Sequence, residues 1–157
     1  MEFIDLKSQR ELISDALDLA IKKVLIEGNY ILGPQVSELE TRLAEFTNSK
    51  YCLSVASGTD ALLMALMSLE IGPGDEVITT PFTWISTVEV IKLLGAEPVY
   101  CDIDPNTFNI DHNKIENVLS DKTKAILPVS LFGQCPNFDE INLIAQKYNL
   151  FVIEDAA

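Results

Sequence analysis

The chain has one histidine, one tryptophan and 11 basic residues against 24 acidic ones, a formal net charge of −13 in 157 residues. Each scarcity argues against a class of function. So acidic a surface repels phosphate backbones, which disfavours nucleic-acid binding. It still admits a small anionic ligand, because a few local N–H donors can hold one. His112 stands alone in a polar turn, so no Ser-His-Asp or Cys-His arrangement is supported. Cys52, Cys101 and Cys135 are far apart and form no CxxC, which points away from zinc and disulfides and toward a reducing, cytoplasmic compartment. Long apolar runs are missing as well: Lys92, Glu97 and Lys124 interrupt the best candidates for a bilayer span. The opening "MEFIDLKSQRELI" has no basic start and no long apolar core, so no signal peptide is expected.

What is present suits a globular domain. The composition is 48% hydrophobic and 22% charged, and the length matches one domain with a real core. Residues 8–27 and about 36–46 carry helical periodicity, separated by the breaker-rich "EGNYILGP". These helices read as a lead-in and not as a separate domain. Tyr51–Ala56 reads as a short buried strand. "SGTDALLMALMSLE" reads as a helix that is apolar nearly all round, hence buried on most faces. Strands are then expected at Glu76–Thr80, Pro98–Asp102, Ala125–Val129 and Leu150–Ile153. Helices are expected at Trp84–Leu94, His112–Leu119 and Asp139–Tyr148. This alternation predicts an α/β fold with a mostly parallel sheet flanked by helices.

Ligands of such sheets sit beyond the carboxyl ends of the strands. "SGTDA" follows the first expected strand. Gly58 and Thr59 open a helix whose N–H groups suit an anion, although a plain N-cap is the more common use of such residues. "PFTWIS" places Trp84 on the same rim, as a stacking face or as a core filler. "CDIDPNT" offers Asp102 and Asp104 to Mg²⁺ or a phosphate, in the manner of haloacid-dehalogenase-type phosphatases. Asn106, however, stands where those carry Thr or Val, and Asp104 before a proline suits a turn. "VIEDAA" ends a strand in acids as a P-loop ATPase does, but no Gly-Lys pair exists to form the phosphate loop. Asp155 is then either a helix cap or a carboxylate that keeps a ring nitrogen protonated. Pyridoxal phosphate is the cofactor that joins an anion site, an aromatic face and such an acid.

With "FIDLK", "GNYILGPQVSELE", "SGTDAL", "GPGDEVIT", "PFTW", "LLGAEPVYCDID", "KAILPVSLFGQ" and "VIEDAA", the chain resembles the N-terminal part of the DegT/DnrJ/EryC1/StrS pyridoxal-phosphate sugar aminotransferases of fold type I. The resemblance implies that Gly58 and Thr59 hold the cofactor phosphate, Trp84 stacks on its ring and Asp155 pairs with its nitrogen. It implies that Asn29 and Tyr30 lie near the sugar-nucleotide entrance. It further implies amino transfer from an amino acid, glutamate by preference, to a nucleotide-linked keto sugar in polysaccharide biosynthesis, by a homodimer. Ser130, where many members carry His, is similar to the branch acting on UDP-3-oxo-sugar uronates. Family members are more than twice as long. Residues 1–157 are therefore expected to be an incomplete large domain, with helices to about 46 and βαβ repeats from about 51. The Schiff-base lysine and a small domain are expected beyond Ala157, so this chain alone should not transaminate. An inactive cofactor- or nucleotide-binding module and the Asp102/Asp104 phosphatase are the alternatives.

Overall fold

Strand and helix alternate from residue 76 onward and close into one parallel sheet, in a computed structural model that describes residues 4–157. Phe3, which begins the FIDLK stretch, lies with Met1 and Glu2 outside the described residues. The backbone divides into residues 1–54 and 55–157.

The first unit holds two helices. α1 (Leu6–Glu27) starts at Asp5, whose carboxylate accepts the Ser8 N–H at 3.0 Å. It ends at Gly28, where φ of +69° needs a residue without a Cβ penalty. α2 (Pro34–Thr47) has proline at its first position, where a missing N–H costs nothing. The loop between them carries Asn29 and Tyr30. The expected strand at 51–56 is not formed. Those residues join no ladder among the described residues, and Tyr51, Leu53 and Val55 are exposed. An apolar run becomes a strand only where a neighbouring edge takes its backbone groups.

The second unit is the α/β part. α3 (Gly58–Ser68) precedes β1 (Glu76–Thr79), α4 (Ser86–Leu93), β2 (Glu97–Tyr100), α5 (His112–Ile115), β3 (Thr123–Ile126), α6 (Phe138–Tyr148) and β4 (Phe151–Val152). The strand order is β2-β1-β3-β4, all parallel. Pro98 sits in β2, an edge strand, where its missing N–H breaks no second ladder.

Side chains alternate across this sheet, and each face has its own core. Val77, Ala125 and Leu127 pack with Leu62 and Leu66 of α3 and Val90 and Ile91 of α4. Ile78 and Ile126 pack with Ile115 of α5 and Ile141 and Ala145 of α6. Both faces are covered, as a parallel sheet requires. Truncating one of these fully buried chains, Leu66→Ala for example, should cost about 2–5 kcal/mol. α3 does not match the expectation of burial on most faces. Leu62 and Leu66, four residues apart, are buried, whereas Met64 and Met67 are exposed. Its single contacting stripe follows from lying on one face of one sheet.

The order of the strands creates the site. The chain passes from β1 outward to β2, then returns to the other side of β1 for β3 and continues to β4. Loops leaving β1 and β3 therefore diverge, and a crevice opens at their carboxyl ends.

Candidate functional site

A cavity of about 430 Å³ occupies that crevice. Gly58, Thr59 and Leu62 of α3, Thr83 and Trp84 after β1, Ser86 and Thr87 of α4, Val129 and Leu131 after β3, and Asp155 and Ala157 after β4 line it. The four residues singled out in the sequence as cofactor-binding, Gly58, Thr59, Trp84 and Asp155, thus share one cavity.

Its α3 end presents unpaired backbone N–H donors, the chemistry that suits an anion. Ser57 Oγ accepts the Asp60 N–H at 3.1 Å, and Ser57 O takes the Ala61 N–H. The N–H groups of Gly58 and Thr59 have no acceptor among the described residues, as expected for the first turn of a helix. A Cβ built on Gly58 would meet nothing nearer than Ala157 Cβ, at 3.8 Å. The fold itself therefore does not require glycine here, and the space above the backbone is free for a ligand. Thr59 Oγ1 donates to Ser86 Oγ at 3.0 Å, which ties α3 to α4 at the rim.

Trp84 is 77% exposed, so it is not a core filler. It stands on the loop before α4, one residue from Thr83 and two from Ser86, and lines the cavity.

Asp155 is 5% exposed. Pairing between the ends of β3 and β4 resumes at Val129 and Asp155, where Asp155 N–H donates to Pro128 O and Ser130 N–H to Asp155 O, both at 2.9 Å. This extra rung carries the acid past the strand to the rim. Period two sends Glu154 the other way: it is exposed and accepts the Ser130 hydroxyl. Ser130 is thereby a structural partner of Glu154. Asp155 Oδ2 accepts from Thr87 Oγ1 at 2.7 Å, and Oδ1 from the Ala157 N–H at 3.2 Å.

The acids of "CDID" are arranged differently. Asp102 is exposed and accepts the Ile103 N–H and the Lys114 ammonium, at 2.9 and 3.3 Å. Asp104 Oδ1 accepts the N–H groups of Asn106 and Thr107, at 2.7 and 3.1 Å. These bonds hold both carboxyls below the usual aspartate range, chiefly through the Ile103 N–H for Asp102 and the Asn106 N–H for Asp104. Beneath them the Cys101 thiol is pushed up to about 11, by burial first and by Asp111 second. No group of three or more His, Cys, Asp or Glu side chains among the described residues is placed to hold a metal.

Asn29 and Tyr30 lie in the first unit. Tyr30 is exposed, and its hydroxyl reaches Leu25 O at 3.5 Å. Sequence reasoning missed Thr83, Ser86 and Thr87. The available signal was the pair of threonines four residues apart in "TWIST", a spacing that shares one helix face.

Similar proteins are consistent with this geometry. The chain is 58% identical over 157 residues to the UDP-2-acetamido-2-deoxy-3-oxo-D-glucuronate aminotransferase of Pseudomonas aeruginosa. That alignment covers 100% of this chain and 44% of the relative, so the chain spans less than half its length. The crystal structure of S. venezuelae DesV superposes with a TM-score of 0.97 at 36% identity, covering 99% of this chain and 42% of that one. The structure of NtdA from Bacillus subtilis, with bound cofactor PMP, gives 0.88 at 38% identity, covering 92% of this chain and 33% of that one. The family model of the DegT/DnrJ/EryC1/StrS aminotransferases matches residues 12–157. On that match, together with a sheet whose switch point holds Gly58, Thr59, Trp84 and Asp155, the chain belongs to the DegT/DnrJ/EryC1/StrS aminotransferase family.

Proposed function

We propose that residues 1–157 form the cofactor-binding part of a large domain in a pyridoxal-phosphate-dependent sugar-nucleotide aminotransferase. The observation that carries this reading is the single cavity joining unpaired helix N–H groups, an exposed indole and a buried carboxylate. The donor set fits the cofactor: Gly58 and Thr59 would hold its phosphate, Trp84 would cover its ring, and Asp155 would hold a proton on its pyridine nitrogen. When bound, the charged ring draws electrons from the substrate carbon and stabilises a carbanion there. The protein's own part is to orient the ring, keep that nitrogen protonated and exclude water from one face.

No lysine lines the cavity among the described residues. We infer that the lysine that would bind the cofactor covalently and shuttle protons lies outside residues 1–157, together with a small C-terminal domain, since this chain covers only 44% of the relative named above. The substrate we assign is a UDP-linked 3-keto sugar uronate, with glutamate as donor. The sugar assignment rests on the 58% identity to a protein named for such a sugar, and glutamate is the donor that the family resemblance implies. Asn29 and Tyr30 are proposed at the sugar-nucleotide entrance. A homodimer working in the cytoplasm completes the assignment. No helix among the described residues is long and apolar enough to cross a membrane.

The test is amino transfer by the full protein that carries this chain. Incubated with pyridoxal phosphate, glutamate and the UDP-keto sugar, it should yield 2-oxoglutarate and an amino sugar, both read by mass spectrometry. Failure with every common amino donor and with several keto sugar nucleotides would sink the reading. A binding module without chemistry is the rival reading. A native mass of 17.4 kDa, with no cofactor adduct at a single lysine after borohydride reduction, would select it.

A further inference from the structure

The carboxylate of Asp155 is held from within the protein by residues to which the proposed function gives no role. Thr87 is fully buried, and its Oγ1 donates to Asp155 Oδ2 at 2.7 Å, across 68 positions of sequence. A hydroxyl has one proton to give. With that proton on Asp155, the 3.2 Å contact between Thr83 Oγ1 and Thr87 Oγ1 has Thr83 as its donor. The chain of bonds therefore runs in one direction, from Thr83 to Thr87 to Asp155.

Two features separate this from ordinary packing. A threonine in a helix usually turns its hydroxyl back onto a carbonyl of the preceding turn. Thr87 instead bonds across to a carboxylate beyond β4. Valine has the same shape, so packing alone would not select a hydroxyl in a fully buried position. The terminal torsion of an aspartate is soft, and its carboxylate plane swings unless an oxygen is anchored. Oδ2 has the short hydroxyl bond, while Oδ1 has only the 3.2 Å contact to the Ala157 N–H.

We propose that Thr87 is a positioning residue. Its hydroxyl, oriented by Thr83, fixes the plane of the Asp155 carboxylate toward the ring nitrogen of the cofactor. This rests on the role given to Asp155 above. The hydroxyl chain acts through that carboxylate and touches no reacting atom.

The experiment measures the dissociation constant of pyridoxamine phosphate by calorimetry on the full protein, for wild type, Thr87→Val, Thr87→Ser, Asp155→Asn and the Thr87→Val/Asp155→Asn double variant. Thr87→Val should weaken binding about tenfold, the scale of one hydrogen bond to a charged group. Thr87→Ser should restore most of it, which a packing role would not do. The double variant should bind no more weakly than Asp155→Asn alone. If the two losses multiply instead, or if Thr87→Ser is as impaired as Thr87→Val, Thr87 does not act through Asp155. If Asp155→Asn binds like wild type, the role of Asp155 itself falls and takes the proposal with it. Should Thr87→Val fail to fold, Thr83→Val carries the test, with about a threefold loss that vanishes in the Asp155→Asn background.

Discussion

Two strand ends of this sheet carry acids, and they behave in opposite ways. At the end of β4, Asp155 is buried at the wall of the switch-point cavity, with a threonine hydroxyl and one backbone N–H as partners. Beyond β2, Asp102 and Asp104 are bonded to the N–H groups of their own turn and to Lys114. In sequence the two look alike, an apolar strand followed by acids. The difference teaches that position along the strand order matters more than residue type. β4 lies on the β3 side of the crevice, whereas β2 is the opposite edge. A carboxylate buried beside a cavity whose described lining has no cationic side chain retains capacity for a charged ligand group. A carboxylate already serving turn N–H groups does not need one.

The largest effect expected from this contrast is on cofactor affinity. Asp155→Ala should weaken pyridoxamine phosphate binding by roughly 30-fold or more, the cost of removing one partner of a buried charged pair. Asp102→Ala should leave it within about twofold, as rim charges contribute little. Equal losses in calorimetry would erase the distinction between the two strand ends.

A smaller effect should appear at the α3 end. Gly58→Ala should lower affinity about tenfold by crowding one charge-assisted hydrogen bond. Its φ is ordinary and its Cβ would have room, so stability should be unchanged or higher by up to about 1 kcal/mol. A fall in the urea midpoint would mean that the glycine serves the fold and not a ligand.

The smallest effect concerns the β2 end, and it is one of stability and pH. The Asp104 carboxyl is depressed below its ordinary 3.8 by turn N–H groups, so its charged form stabilises the folded state. That contribution is present above the unfolded pKa and is lost as pH falls through the lower folded one. Asp104→Ala should therefore lower the melting temperature at pH 7, and the gap from wild type should narrow as pH drops below about 4. Cofactor affinity at pH 7 should not change. A gap that widened in acid would reverse the assigned sign.

The sheet was legible because the switch between period two and period 3.6 marks each element, and because Gly95 and Pro98 mark where α4 ends and β2 begins. Gly95 has φ of +78°, and a Cβ there would meet Pro73 at 3.0 Å. The segment 51–56 was not legible, because an apolar run does not say whether a neighbouring edge exists. Met64 and Met67 were misjudged because composition does not reveal how many faces of α3 find a partner. Gly58, Thr59, Trp84 and Asp155 could be selected since each follows a strand or opens a helix. Thr87 was missed: its spacing from Thr83 is visible in the sequence, but its partner Asp155 lies far along the chain, and a threonine at a helix start reads as a cap.

The most direct test of the account is the protonation state of the cofactor's pyridine nitrogen in the full protein. Pyridoxamine phosphate labelled with ¹⁵N in its ring would be bound to wild type and to Asp155→Ala, and its nitrogen resonance recorded at pH 8. The nitrogen should be protonated in wild type and deprotonated in the variant. A deprotonated nitrogen in wild type, or the same resonance in both, would contradict the role of Asp155 and the reading of the cavity built on it.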